Sequence, residues 1–133
     1  MNWNTYFMQI ANVISLKSKD KKKVGAVLVS KSDNRIISTG YNGLPSGITD
    51  NIDWNNRDLV HSMIIHAEMN CILYAETKYK NSILYSTLSP CKDCIKIIAA
   101  ANITKVVYLE EYKDLELSKK LCNHFGIELI KFI

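Results

Sequence analysis

Apolar positions near the start of the chain fall at helical spacing: Tyr6, Phe7, Ile10, Val13 and Ile14, closed by Lys17. This pattern predicts an amphipathic helix ending near Ser18-Lys19-Asp20, followed by a basic loop from Lys21 to Lys23. Val24 to Val29 and Arg35 to Tyr41 are β-rich runs joined by the turn-forming Ser32-Asp33-Asn34, which reads as an antiparallel hairpin. From Asn42 to about Met63, Gly43, Pro45, Gly47 and many Asn and Asp residues predict mostly loop. Loops of that length inside compact domains are usually functional or disordered, and here the functional reading is preferred.

Periodicity returns after this stretch. Ile65 to Thr77 reads as helix, Ser82 to Thr87 as strand, Cys91 to Ala101 as helix and Lys105 to Leu109 as strand. Leu115 to Phe125 then reads as helix, Gly126 as its stop and Glu128 to Phe132 as the last strand. The order αββαβαβαβ argues for an α/β layered domain with a sheet of about five strands and helices on both faces. No internal repeat or low-complexity tract interrupts it.

Composition narrows the class. At 133 residues, with 47% hydrophobic and 23% charged, the chain fits one domain spanning 1–133. A formal charge of +4 suits an anionic small ligand and falls short of a nucleic-acid-binding signature. No apolar run approaches the roughly 18 residues of a membrane span, and Met-Asn-Trp-Asn does not resemble a signal peptide. The expectation is a cytoplasmic protein with neither membrane nor nucleic acid as partner. Four Cys, two of them spaced C-x-x-C, then point to metal or redox chemistry before disulfides.

The candidate chemistry sits at two predicted helix starts, His66-Ala67-Glu68 and Pro90-Cys91-Lys92-Asp93-Cys94. Zinc suits imidazole and thiolate, and a catalytic zinc keeps three protein ligands with a fourth position for water. His66, Cys91 and Cys94 supply three, the C-x-x-C spacing letting one helical turn present both sulfurs with the helix N-terminus favouring thiolate. Glu68, two residues from the ligand His, is placed to move protons without holding the ion. A lone C-x-x-C also suits a redox pair or half of a structural zinc site, and a lone His-x-Glu means little. Their combination in this order is the H-x-E…P-C-x-x-C signature of zinc nucleobase deaminases. Cys71 and Cys122 read as core packing; His61 and His124 read as ordinary structural or surface residues, with a second metal site at His61 as the alternative.

Successive blocks along nearly the whole chain resemble the deoxycytidylate (dCMP) deaminase family of the cytidine deaminase superfamily. They are Trp3 with Tyr6-Phe7-Met8, Ser18-Lys19-Asp20, Val24-Gly25-Ala26-Val27, Gly40-Tyr41-Asn42-Gly43-Leu44-Pro45-Ser46-Gly47, His66-Ala67-Glu68-Met69-Asn70 and Leu88-Ser89-Pro90-Cys91-Lys92-Asp93-Cys94. The resemblance implies a three-layer fold with a five-stranded mixed sheet in order 2-1-3-4-5, flanked by helices. It implies deamination of dCMP to dUMP with one catalytic Zn2+ per chain, His66, Cys91 and Cys94 as ligands and Glu68 as the catalytic carboxylate. For the substrate it implies Asn42 at the sugar 3′-hydroxyl, the Ala67 amide at the base carbonyl, the Ser89 carbonyl at the amino group and Tyr112 stacked on the base. Lys19, like Arg57, is a candidate for the 5′-phosphate. It further implies a homohexamer activated by dCTP with Mg2+ and inhibited by dTTP, through an allosteric region that includes Gly43, Asp50 and Arg57.

Two departures from the family pattern bear on regulation and phosphate binding: the stretch from Pro45 to His66 is short, and Lys21 stands where Pro is common. The rival enzyme readings are a bifunctional dCMP/dCTP deaminase, a deaminase of free cytidine and a polynucleotide editor. The last would need an aromatic and basic track that the 9% aromatic content does not suggest. The rival of another class is a non-enzymatic zinc module in which Glu68 merely caps a helix.

Overall fold

The first helix begins where Asn2 can cap it, its side-chain oxygen accepting the Thr5 amide at 2.8 Å. That satisfies one of the amides a helix start leaves without an internal partner. In a computed structural model that describes residues 1–76 and 80–133, this helix, α1, spans Trp3–Ser15, ending short of the expected Ser18. The hairpin follows as β1 (Gly25–Ser30) and β2 (Ile36–Tyr41), with Asn34 taking the positive φ of 58° that its turn requires. The remaining strands are β3 (Ser82–Leu88), β4 (Lys105–Glu110) and β5 (Glu128–Lys131). The helices after the hairpin are α2 (Arg57–Met63), α3 (Ala67–Leu73), α4 (Lys92–Ala100) and α5 (Leu115–Phe125).

The five strands form one mixed sheet in the order β2-β1-β3-β4-β5. β1 is antiparallel to both its neighbours, whereas β3, β4 and β5 run parallel, joined by the crossovers α4 and α5. Alternation along the central strands builds two cores. Val27, Val29, Tyr85 and Val107 meet Phe7, Met8 and Ala11 of α1 on one face. Ala26, Leu28, Leu84 and Val106 meet Ala67, Cys71, Ile95, Ile98 and Cys122 of α3, α4 and α5 on the other. The result is the three-layer arrangement expected from the sequence, with both zinc-motif helices on the same face.

Two glycines set how closely helices approach this sheet. A Cβ on Gly40 would lie 2.5 Å from the Cys71 nitrogen and 2.6 Å from the Ala67 oxygen, so only glycine lets α3 rest on β2 at this distance. Gly25 plays the same part opposite α1, where a Cβ would fall 2.0 Å from the Ala11 oxygen.

The structure departs from the expected elements between Asn42 and Ala67. α2 interrupts what reads as loop: Asn56 accepts the Leu59 amide at 3.3 Å, Asp58 sits in the first turn and Val60 is buried. With only Val60 buried along its length, this helix is too short to show an apolar periodicity. Ile65 is extended, exchanging backbone hydrogen bonds with Gly43 at 3.1 and 2.8 Å, so the helix expected from Ile65 starts at Ala67. Its expected end at Thr77 lies outside the described residues. Among the described residues, no helix is long and apolar enough to cross a membrane.

Candidate active site

His66 is the N-cap of α3 and Cys91 the N-cap of α4, both with extended backbone and neither spending its side chain on capping. The imidazole and thiol are therefore left to face each other across the two helix starts. The His66 Nδ1 lies 3.2 Å from the Cys94 Sγ and 3.5 Å from the Cys91 Sγ, and the three ligand atoms all fall within 4.8 Å of one another. Tetrahedral zinc with its usual bond lengths holds nitrogen and sulfur ligands about 3.6 Å apart, so the donor set fits zinc in both chemistry and spacing. Among the described residues, this is the one group of His, Cys or acidic side chains gathered closely enough to hold an ion.

Hydrogen bonds among the three ligand groups shift their protonation. Hydrogen bonds from Cys94 and then from His66 hold the Cys91 thiol down at about 4, while Cys94, buried beside that thiolate, is pushed up. The hydrogen bond to Cys91 in turn raises the His66 imidazole. Glu68, in the first turn of α3, is 4% exposed, and burial pushes its carboxyl up to about 7. A carboxyl poised near neutrality can both accept and return a proton. Cys71 and Cys122 are buried in the core beneath, where burial pushes their thiols up to about 12 and about 11.

His66, Cys91 and Glu68 open onto a cleft of about 500 Å3. His66, Ala67, Glu68, Ser89, Cys91, Asn42, Tyr112 and Arg57 all line it. Asn42 is 5% exposed; its Oδ1 accepts the Val24 amide at 2.9 Å and its Nδ2 donates to the Lys22 carbonyl at 2.8 Å. This clips the basic loop onto the end of β2. Ser89 accepts the Tyr112 amide at 2.7 Å through its Oγ, which fixes Tyr112 on the cleft wall. Ser118 donates to the Pro90 carbonyl at 2.9 Å, tying α5 to the turn that carries Cys91.

Lys19, Gly43 and Asp50 lie elsewhere. They line a separate groove with Trp54, where Lys19 pairs with Asp50 and the Trp54 indole donates to Asp50 at 2.9 Å. Arg57, grouped by sequence with Gly43 and Asp50, instead lines the cleft that holds Glu68. Asp20, Lys22 and His61 also line that cleft; the sequence held His61 open for a second metal site, and among the described residues no second cluster of metal-ligating side chains gathers. Arg57 and His61 share the i, i+4 spacing of one helix face, a signal hidden by reading the segment as loop.

The family model described as "Cytidine and deoxycytidylate deaminase zinc-binding region" matches residues 1–110. Deoxycytidylate deaminase of Homo sapiens is 34% identical over 145 residues, covering 100% of this chain and 81% of that protein. The probable deoxycytidylate deaminase of Caenorhabditis elegans is 40% identical over 126 residues, covering 89% of this chain; the match spans 64% of the nematode protein. The dCMP deaminase of cyanophage S-TIM5, solved in complex with dCMP and dUMP, superposes with a TM-score of 0.80 at 31% identity, covering 96% of this chain and 95% of that one. The chain belongs to the cytidine and deoxycytidylate deaminase family.

Proposed function

We propose that this chain, as one domain over 1–133, catalyses the hydrolytic deamination of dCMP to dUMP with release of ammonia. The observation that carries the reading is the buried Glu68 carboxyl in the same cleft as His66 and Cys91, whose ligand atoms cluster with that of the buried Cys94. The relatives named for dCMP and the phage structure that binds dCMP and dUMP support the choice of substrate.

His66, Cys91 and Cys94 would hold Zn2+, which supplies Lewis-acid activation of water at neutral pH. Glu68 takes a proton from the attacking water and delivers it to ring N3, making C4 electrophilic. Once the C4–O bond has formed, the carboxylate takes the remaining proton from the new C4 hydroxyl and passes it to the amino group as the C4–N bond breaks. Water is consumed and ammonia leaves. Ala67 and Ser89, flanking the ligands, are the backbone groups that orient the base; Tyr112 stacks on it and Asn42 marks the sugar side. Arg57 is the cation best placed for the 5′-phosphate, since Lys19 is engaged by Asp50 outside the cleft.

Regulation belongs to the same reading: dCTP with Mg2+ as activator and dTTP as inhibitor, acting through the Gly43 to Arg57 segment of a cytoplasmic homohexamer. It is supported by the family resemblance and by the groove that Gly43, Asp50 and Trp54 line beside the cleft. The deciding experiment is ammonia release from dCMP, dCTP, CMP, deoxycytidine and cytosine-containing oligonucleotides. dCMP should far exceed deoxycytidine, equal rates on dCMP and dCTP would widen the substrate, and bound zinc without release from any would leave a zinc module.

A further inference from the structure

We propose that Asp20 is a positioning residue that aims the Arg57 guanidinium into the catalytic cleft, and that this aimed guanidinium sets the preference for a nucleotide over a nucleoside. The inference rests on the deaminase reading above and assigns the selectivity of that site to a specific pair.

Asp20 is 3% exposed, and a carboxylate that deeply buried must be paired or hydrogen-bonded to remain charged. Its Oδ1 accepts the Arg57 Nη2 at 2.7 Å and, at a longer 3.4 Å, the Lys22 amide; its Oδ2 faces the Asn42 Nδ2 at 3.4 Å. A single carboxyl thus joins the loop after α1, the end of β2 and the start of α2. Arg57 is held a second time, its Nη1 donating to the Trp54 carbonyl at 3.1 Å. Bonds through both terminal nitrogens fix the plane of the guanidinium while leaving it about one-third exposed on the cleft wall. Its remaining N–H donors have no other partner among the described residues.

Other cations near the cleft lack this preparation. Lys22 pairs with Glu110 at 2.6 Å, both side chains more than half exposed, an arrangement that fixes little. A planar guanidinium with a preset orientation recognises phosphate by paired N–H donors and loses less freedom on binding than a swinging ammonium. An Asp20–Arg57 pair that merely braced α2 would make no distinction between phosphorylated and unphosphorylated ligands.

The test uses the zinc-loaded full chain with Asp20→Asn, Arg57→Lys and the double variant. It reads kcat/KM for dCMP and deoxycytidine, and Kd for dUMP and deoxyuridine by calorimetry. Each single change should lower the dCMP-to-deoxycytidine ratio roughly tenfold to 100-fold, with a matching fall in the product-binding ratio and little change for either nucleoside. The double variant should lose no more than the weaker single variant, because both changes remove one aimed contact. Equal losses for nucleotide and nucleoside would reduce the pair to a structural brace, and a ratio that rises in Asp20→Asn would show the carboxylate competing with phosphate; either overturns the proposal. If no cytosine compound is turned over, the deaminase reading fails while the dUMP-to-deoxyuridine ratio still decides the role of Asp20. Should Asp20→Asn not fold, Asp20→Glu, which keeps the charge and shifts it by one methylene, must lower the same ratios.

Discussion

Gly40→Ala tests whether the position of α3 on the sheet controls the chemistry. The added methyl would sit 2.5 Å from the Cys71 nitrogen and 2.6 Å from the Ala67 oxygen, both of them backbone atoms that cannot rotate away. Restoring ordinary van der Waals separation demands a retreat of about 1 Å by α3 or β2. Overpacking of this kind costs about 1–3 kcal/mol, which for a chain this size lowers Tm by roughly 3–12 °C. α3 carries Glu68 and is capped by His66, so the same displacement moves the proposed proton carrier and one proposed metal ligand relative to Cys91 and Cys94 at the start of α4. A misplacement near 1 Å costs about 100-fold in turnover. The assay is thermal melting with zinc content, followed by ammonia release from dCMP at a temperature where every variant is folded. Gly126→Ala is the control: its φ is +75° with nothing near the added methyl, so it should cost about 1 kcal/mol and leave kcat alone. A Gly40→Ala protein with unchanged Tm and kcat would refute the close-approach argument; a lower Tm with normal kcat would show that α3 yields without carrying the site along.

Three further outcomes are expected. Glu68→Gln should keep the fold and bound zinc while kcat falls by about 10⁴ or more, since proton transfer by a positioned group gives roughly 10²–10⁴ per step and Glu68 acts twice; near-normal turnover would end its role. Cys94→Ala should lose metal and activity together, and elemental analysis finding full zinc would remove Cys94 from the ligand set. Cys71 and Cys122, with thiols pushed up to about 12 and about 11 by burial, should resist iodoacetamide at neutral pH in the native zinc-loaded protein and react after denaturation. Native labelling of Cys71 seen by mass spectrometry would contradict that burial.

Much of the architecture is legible without coordinates because it is written at short range. Periodicities of two and of 3.6 residues mark β1, β2, β3, β4 and β5 and the longer helices to within a few residues. Gly126 stops α5 with the positive φ its sequence position suggested. The zinc group is legible for the same reason: Cys91 and Cys94 share one helical turn, and His66 and Glu68 share another, so only one long-range meeting of α3 and α4 has to be inferred.

What only the tertiary structure decided lies between residues distant in sequence and carries no local signature. The Asp20–Arg57 bond spans 37 positions, and no period or spacing announces it. Lys19, equally cationic and next to Asp20, turns to Asp50 in another groove, so charge by residue type could not choose between Lys19 and Arg57. α2 escaped notice because its stability comes from the Asn56 cap and one buried Val60, not from a repeated apolar face. Gly40 reads as an ordinary strand glycine until the backbone of α3 is seen lying against it. Local chemistry is encoded by spacing along the chain, whereas the walls of the cleft depend on which loops the packed sheet brings together.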